Sequence, residues 1–372
     1  MLIDYSINLF LAIASNDSEQ QDFWKKKKVL ITGHTGFKGT WLSTYLLMME
    51  SQIYGYSDSY MEKSHVFGDI FKNSNNIKNI IADINNEEVL RKNISNIQPD
   101  IIFHLAAQPL VLESYKNPLI TWKTNVIGTL NLLESLRNIQ KKCVVIVVTS
   151  DKVYKNKNED CFYKENDPLG GKDPYSASKA ACEIAVNSWK DSFVGLSKFR
   201  NCNLKIATAR SGNVIGGGDW SNDRLIPDIV KAILNKTKLT LRNPMAVRPW
   251  QNVLDPIFGY IRLAEYLWDN NSKYSSYNFA PMKKDIKNVK EVVSNFLNLW
   301  EVDIDIEYQE SDYFESHFLG LNNERSRKVL EWKPKLNFED SIKETVNWYK
   351  NVFNGNNPLE EINESIKRYS QL

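Results

Sequence analysis

The chain predicts an α/β fold, a doubly wound parallel sheet with a smaller C-terminal lobe, and three observations carry that prediction. Short buried runs alternate with amphipathic helical patterns through the first half of the chain. A glycine-rich turn joins the first run to the first helix. After about residue 205 the alternation loosens into loops in which Gly, Pro, Arg and Trp cluster. A length of 372 residues suffices for two domains or for one large α/β unit with a lobe. The expected organisation is a flexible leader over 1–22, a dinucleotide-binding domain over 23–205 and a lobe filling most of 206–372. Segments near 206–215 and 251–270 are expected to return to the first domain.

Taken in order, the leader contains "INLFLAIAS", an apolar run ending in an A-x-A-like triplet, Ala12-Ile13-Ala14. Asp4 stands where a secretory signal needs basic residues, and Ser6 and Asn8 interrupt the run, so it does not read as a signal peptide. No stretch reaches the ~18 apolar residues of a membrane span, and a cytoplasmic protein is expected. The lysine run before Val29 is a solvated lead-in to the first strand, Val29 to Thr32. "GTWLSTYLLMME" then carries Trp41, Leu42, Tyr45, Leu46 and Met49 at helical spacing. "QIYGYS" and "IKNIIADI" read as the second and third strands, and "NNEEVLRKNISNI" as a helix with acids in its first turn, where the dipole favours them. "PDIIFHLAA" is a fourth strand, one long helix is expected from about 118 to 138, and "KCVVIVVTS" is a fifth, central strand. "LKIATARSGN" supplies a sixth, and the βαβ rhythm implies right-handed crossovers.

Composition excludes several functions. With 47 basic and 45 acidic residues the net charge is +2, which offers nothing to nucleic acid or a membrane surface. Four cysteines form no C-x-x-C pair and four histidines are scattered, so reduced thiols are expected and no metal site is.

Gly33, Gly36 and Gly39 form G-x-x-G-x-x-G between the first strand and the first helix. Glycines there allow a tight turn and close approach of a pyrophosphate to a helix N-terminus. Asp58 ends the second strand, 19 residues after Gly39, where a ribose-binding carboxylate is expected. No arginine follows closely, which favours NAD over NADP; a surface aspartate in a loop is the alternative reading.

Further on, "DPYSASKAACE" puts Tyr175 and Lys179 four apart on one helix face, with Pro174 suited to the first helical position and Asp173 to the cap. An ammonium beside a phenol favours the phenolate, as general-base work requires. No other tyrosine in the chain completes Y-x-x-x-K. Upstream, the fifth strand ends in "TSDK", with an acid, Asp151, and a base, Lys152, adjacent where the apolar run stops.

With "GHTGFKG", "FHLAAQ", "TSDK" and "YSASK" in this order, the chain resembles the extended short-chain dehydrogenase/reductases that modify nucleotide sugars. Among them it is similar to the cytidine-linked 4,6-dehydratases, through further segments such as "ARSGNVIGGGDW", "DRLIPD" and "RPWQNVL" between about residues 23 and 256. The resemblance implies a Rossmann-type sheet and NAD, cradled by Gly33, His34, Thr35, Gly36, Phe37, Lys38 and Gly39. Asp58 would take the ribose and Asp83 and Ile84 the adenine edge. Leu105, Ala106, Ala107, Gln108 and Asn125 would complete the cofactor site with Tyr175 and Lys179. It implies that Ser150, or Thr149 beside it, meets the sugar O4, and that Tyr175 takes the O4 proton. Asp151 would protonate the departing O6, and Lys152 would stand where a base for the C5 proton is needed.

For the nucleotide sugar, CDP-glucose by this resemblance, the implied contacts are Gln108, Ser150, Asn213, Arg224, Leu225, Arg242 and Arg248, with guanidiniums suited to phosphate oxygens. An exposed surface arginine is the alternative reading of Arg242, and Trp250 reads as core. Val153 stands where the family commonly has Cys, and Asp151–Lys152 departs from the Asp–Glu of deoxythymidine-linked dehydratases. A 4-epimerase on the same fold has no use for an acid–base pair here. A 5-inverting UDP-N-acetylhexosamine dehydratase and a non-catalytic dinucleotide-binding regulator are the other rivals. The family further implies a homodimer through helices near 118–138 and 174–192.

Overall fold

The computed structural model describes residues 18–59, 76–157, 159–195, 201–309 and 317–372. Seven parallel strands form the central sheet: β1 (Lys28–Thr32), β2 (Gln52–Ser57), β3 (Ile77–Ile81), β4 (Ile101–His104), β5 (Cys143–Val148), β6 (Leu204–Ser211) and β7 (Ser276–Phe279). Their spatial order is β7-β6-β5-β4-β1-β2-β3. The chain therefore reverses direction across the sheet between β1 and β4, and a crevice opens there beyond the carboxyl ends. β7, with the short polar-rich run "SYNF", is a strand that periodicity alone does not announce.

Alternation along each strand feeds two cores. Val29 and Ile31 of β1, with Val144 and Ile146 of β5, enter one. Leu30, Val145 and Val147 enter the other. Each fully buried Val or Leu adds about 1.5–3 kcal/mol relative to exposure. The first core is covered by α2 (Phe37–Met48) and the second by α3 (Glu87–Ile97).

Two expectations need correction at this level. The leader was expected to run to residue 22, but α1 (Ser18–Trp24) is a docked helix. Trp24 is fully buried, and it and Gln20 each donate to Glu265 at 2.7 Å. Residues 1–17 of that leader lie outside the described residues. A short helix, α4 (Val111–Lys116), precedes the single helix expected over 118–138, which is itself broken into α5 (Pro118–Trp122), a π-helical turn at Lys123–Ile127 and α6 (Gly128–Ser135). The widened turn holds Asn125, 1% exposed, whose amide reaches the Gln108 carbonyl and Ser178.

α7 (Pro174–Phe193) crosses the second core beside α6. It begins with Pro174 at its first position and a reciprocal capping box between Asp173 and Ser176. The rest of the chain adds α8 (Leu225–Asn235), α9 (Leu254–Asp269), α10 (Val289–Trp300), α11 (Glu324–Val329), α12 (Phe338–Phe353) and α13 (Pro358–Ser370). α9 packs on the first face of the sheet, and Trp348 of α12 lies against Gly217. A Cβ at Gly217 would stand 1.9 Å from the indole.

Candidate active site

A cavity of about 1270 Å³ lies over the carboxyl ends of β1, β2, β4, β5 and β6, facing α8 and the loops of the lobe. That exceeds the space one small ligand fills, and suits two ligands side by side.

One end is built from backbone. Gly33 turns with φ +73°, and a Cβ on it would meet the Ala106 nitrogen at 2.8 Å. A Cβ on Gly39 would stand 2.1 Å from the Gly33 oxygen, so only glycine lets α2 start this close to β1. Gly36 caps α2 with no side-chain bond, which leaves the first N–H groups of the helix facing the cavity. This cradle fits the diphosphate of a dinucleotide. Thr35, Phe37, Asp58, Asp83, Ile84, Leu105, Ala106 and Ala107 line the same end, with Asp58 and Asp83 exposed.

Three residues expected to touch the cofactor turn their side chains elsewhere. His34 is fully buried below the cradle between Ser57 and Asn79, at 2.9 and 2.8 Å, over Gly55; burial lowers its pKa. Gln108, expected to serve cofactor and substrate, bonds instead to Leu110 and Thr121. Asn125 clamps the Gln108 backbone from below. None of the three lines the cavity; they shape its walls. Lys38 differs in another way, for its ammonium crosses to Ser211 at 2.9 Å. Burial, then the positive charges of Arg224 and Lys179, pull it down to about 7.

The reacting groups gather at the middle. After β5 the chain makes a 3₁₀ turn over Asp151–Val153, capped by the Ser150 hydroxyl, which accepts from the Lys152 N–H. Ser150 also donates to Asp151 Oδ1 at 3.0 Å. Asp151 is 3% exposed, and its other oxygen, Oδ2, is buried near Gly212 with no hydrogen-bond partner among the described residues. Burial raises the Asp151 pKa, against the lowering effect of Lys152 and the Ser150 bond. A carboxyl so placed can carry a proton and give it up. Lys152 lines the cavity and is half-buried. Between the two hydroxyls considered for the sugar, Thr149 is engaged with Glu183, whereas Ser150 bonds within the turn and lies near enough to Tyr175 to favour its phenolate.

Tyr175 and Lys179 reach the same point from α7. Lys179 donates to the Val148 carbonyl at 3.3 Å, and burial lowers its pKa. The neighbouring ammonium is expected to favour the phenolate of Tyr175. Its pKa is instead raised, burial outweighing the Ser150 bond and the Arg224 charge that pull it down. The phenol is therefore the resting form.

At the far end Asn213, Arg224, Leu225, Arg242 and Arg248 all line the cavity. Arg224 and Arg242 are part-exposed and only loosely paired, to Asp219 at 3.9 Å and Asp223 at 3.7 Å. Arg248 is 3% exposed, donates to the carbonyls of Val247 and His317, and lies close enough for its charge to act on Asp151. Trp250 is core, as read, with one edge on the cavity. Sequence reading missed Ser211, Asp219 and the pair Glu183–Arg210; only a charged Arg210 inside an apolar strand could have announced the last.

Comparison with known proteins agrees with this geometry. The family model described as GDP-mannose 4,6 dehydratase matches residues 30–345. The chain is 38% identical to CDP-glucose 4,6-dehydratase of Salmonella typhimurium over 341 residues, covering 91% of this chain and 95% of that one. It is 25% identical to UDP-glucose 4-epimerase of Mycoplasma genitalium, over 88% and 98% of the two chains. Its fold matches dTDP-glucose 4,6-dehydratase from Bacillus anthracis, solved in complex with NAD, with a TM-score of 0.73, 24% identity and coverage of 90% and 99%. The resemblance carried by the glycine cradle, "TSDK" and "YSASK" is thereby borne out, as is the Rossmann-type sheet. Matched along most of its length, this chain belongs to the GDP-mannose 4,6 dehydratase family of extended short-chain dehydrogenase/reductases.

Proposed function

We propose that the chain is an NAD-dependent hydro-lyase that converts CDP-glucose to CDP-4-dehydro-6-deoxyglucose. One observation carries the reading: an acid and a base on one turn, Asp151 with a buried unpartnered oxygen and Lys152 beside it, converge with Tyr175 on one cavity. An epimerase would need only the tyrosine and its partners. The cytidine base is supported by the 38% identical relative.

NAD would rest on Gly33, Gly36 and Gly39, with Asp58 at a ribose and Asp83 and Ile84 at the adenine. Bound there, it would store the hydride taken from C4 and return it to C6, so no net oxidation occurs. Ser150 donates to or accepts from the sugar O4, and Tyr175, once its phenol has given up its own proton, removes the O4 proton as C4 becomes a ketone. The ketone acidifies the C5 proton, which Lys152 removes. Asp151 gives its proton to O6, and the C6–O6 bond breaks to release water. Lys152 then returns a proton to C5. Arg224, Arg242 and Arg248, with Asn213, would hold the diphosphate end.

The protein would work in the cytoplasm as a homodimer. Leu119, Ile120, Trp122, Ile127 and Ile184 are exposed along α5, the π-helical turn and α7, apolar surface that supports pairing with a second copy. Among the described residues no helix is long and apolar enough to cross a membrane.

Incubation with CDP-, UDP- and deoxythymidine-diphosphoglucose, followed by the base-induced ultraviolet absorbance of a 4-keto sugar, tests the reading. Product from CDP-glucose is expected. No product from any of the three, with NAD bound, overturns it.

A further inference from the structure

We propose that the buried Glu183–Arg210 pair is a positioning device that holds the Asp151–Lys152 turn in register with Tyr175. This rests on the dehydration chemistry proposed above. The turn is flanked by Thr149 on one side and Tyr154 on the other, and the pair grips both. Thr149 Oγ1 donates to Glu183 Oε1. Arg210 Nη1 donates to the Tyr154 hydroxyl at 2.8 Å, and that hydroxyl donates on to Asn278 Oδ1 at 2.7 Å. Arg210 Nη2 closes the pair on Glu183 Oε2 at 2.7 Å, where Thr208 also donates at 2.8 Å. The side chains of the pair are 2% and 0% exposed, so no solvent competes for these bonds.

Placement on α7 gives the clamp its meaning. Tyr175, Lys179 and Glu183 follow one another at four-residue spacing and share a helix face. The anchor of the acid–base turn and the redox tyrosine therefore ride on one rigid rod. A buried ion pair is no better than apolar packing as a source of stability. Its directional bonds supply geometry instead, fixing where the turn leaves β5 and where it rejoins the fold. Glu183 does not line the cavity, so it acts through Thr149 rather than on substrate. The reaction asks for such a device: Tyr175 works at O4 while Asp151 and Lys152 work at C6 and C5 of the same ring. A misplacement of about 1 Å costs on the order of 100-fold.

The test separates the two halves of the reaction. Full dehydration of CDP-glucose is compared with single-turnover C4 oxidation of its 6-deoxy analogue, which has no O6 to lose, read as NADH absorbance. Thr149→Val and Tyr154→Phe each remove one grip and leave the ion pair; Glu183→Gln removes its charge. We expect dehydration to fall on the order of 100-fold in Thr149→Val, with C4 oxidation, the KM and the melting temperature changed far less. In the Glu183→Gln background, where the acceptor of the Thr149 bond has lost its charge and its ion pair with Arg210, the Thr149→Val effect should be smaller. If Glu183→Gln does not fold, the same coupling is read between Thr149→Val and Tyr154→Phe. Equal losses in both half-reactions, or no loss in either, overturn the clamp while leaving the dehydratase reading intact. A wild-type chain that oxidises the analogue but never dehydrates CDP-glucose overturns both.

Discussion

The two ends of the cavity are made from different materials. At the β1–β3 end the walls are main chain: Gly33, Gly36 and Gly39 put no side chain between the cavity and the backbone. At the far end the walls are long side chains, Arg224 and Arg242, part-exposed and held by carboxylates nearly 4 Å away. The first end is rigid and intolerant; the second is loosely tethered and can adjust to its ligand. Precision in this molecule is bought with glycine, and adaptability comes from arginine.

Substitutions sharpen that contrast. The largest effect should come from Gly39→Ala, whose Cβ has no room beside the Gly33 oxygen. Loss of NAD binding in a fluorescence titration is expected, with about 1–3 kcal/mol of stability lost to overpacking. Retained NAD binding would show that the cradle is softer than its geometry implies.

Asp151→Asn stands between the two ends. Dehydration should drop by about 10²–10⁴-fold for loss of the acid, yet the fold should gain. The folded-state pKa of Asp151 is raised. Its contribution is therefore complete below the ordinary carboxyl value of about 4 and is lost as pH rises through the folded value. At pH 7 the variant should melt above the wild type, and the difference should close below about pH 4. A lower melting temperature at pH 7 would contradict the buried, unpartnered oxygen.

Arg224→Ala should raise the KM for the nucleotide sugar about tenfold, the loss of one charge-assisted contact of about 1.4 kcal/mol. Arg242→Ala, whose partner Asp223 is itself exposed, should cost only about two- to threefold. If the order reverses, the diphosphate end has been drawn the wrong way round.

Legibility followed the same division. β1, β4 and β5 announce themselves because strands buried on both faces must be apolar throughout. Tyr175 and Lys179 could be paired because helical spacing is fixed by hydrogen bonding within the chain. Side-chain direction is another matter. His34, Gln108 and Asn125 sit in or beside the right loops yet point away from the cavity, because partners on other elements, Asn79, Thr121 and Ser178, claim them. The π-helical turn at Lys123–Ile127 and the strand "SYNF" were hidden for the same reason: each owes its shape to a neighbour rather than to local propensity.

The contact of Trp348 with Gly217 sets an order on biosynthesis. Gly217 follows β6 in the segment that leads to Asp219 and Arg224, and its cover comes from a helix more than a hundred residues later. Contacts of such long range form late. The sheet and its glycine cradle can assemble while the polypeptide is still emerging from the ribosome. The sugar-nucleotide end cannot close until α12 (Phe338–Phe353) has been made, so a nascent chain gains that wall of the cavity only when its synthesis is nearly finished.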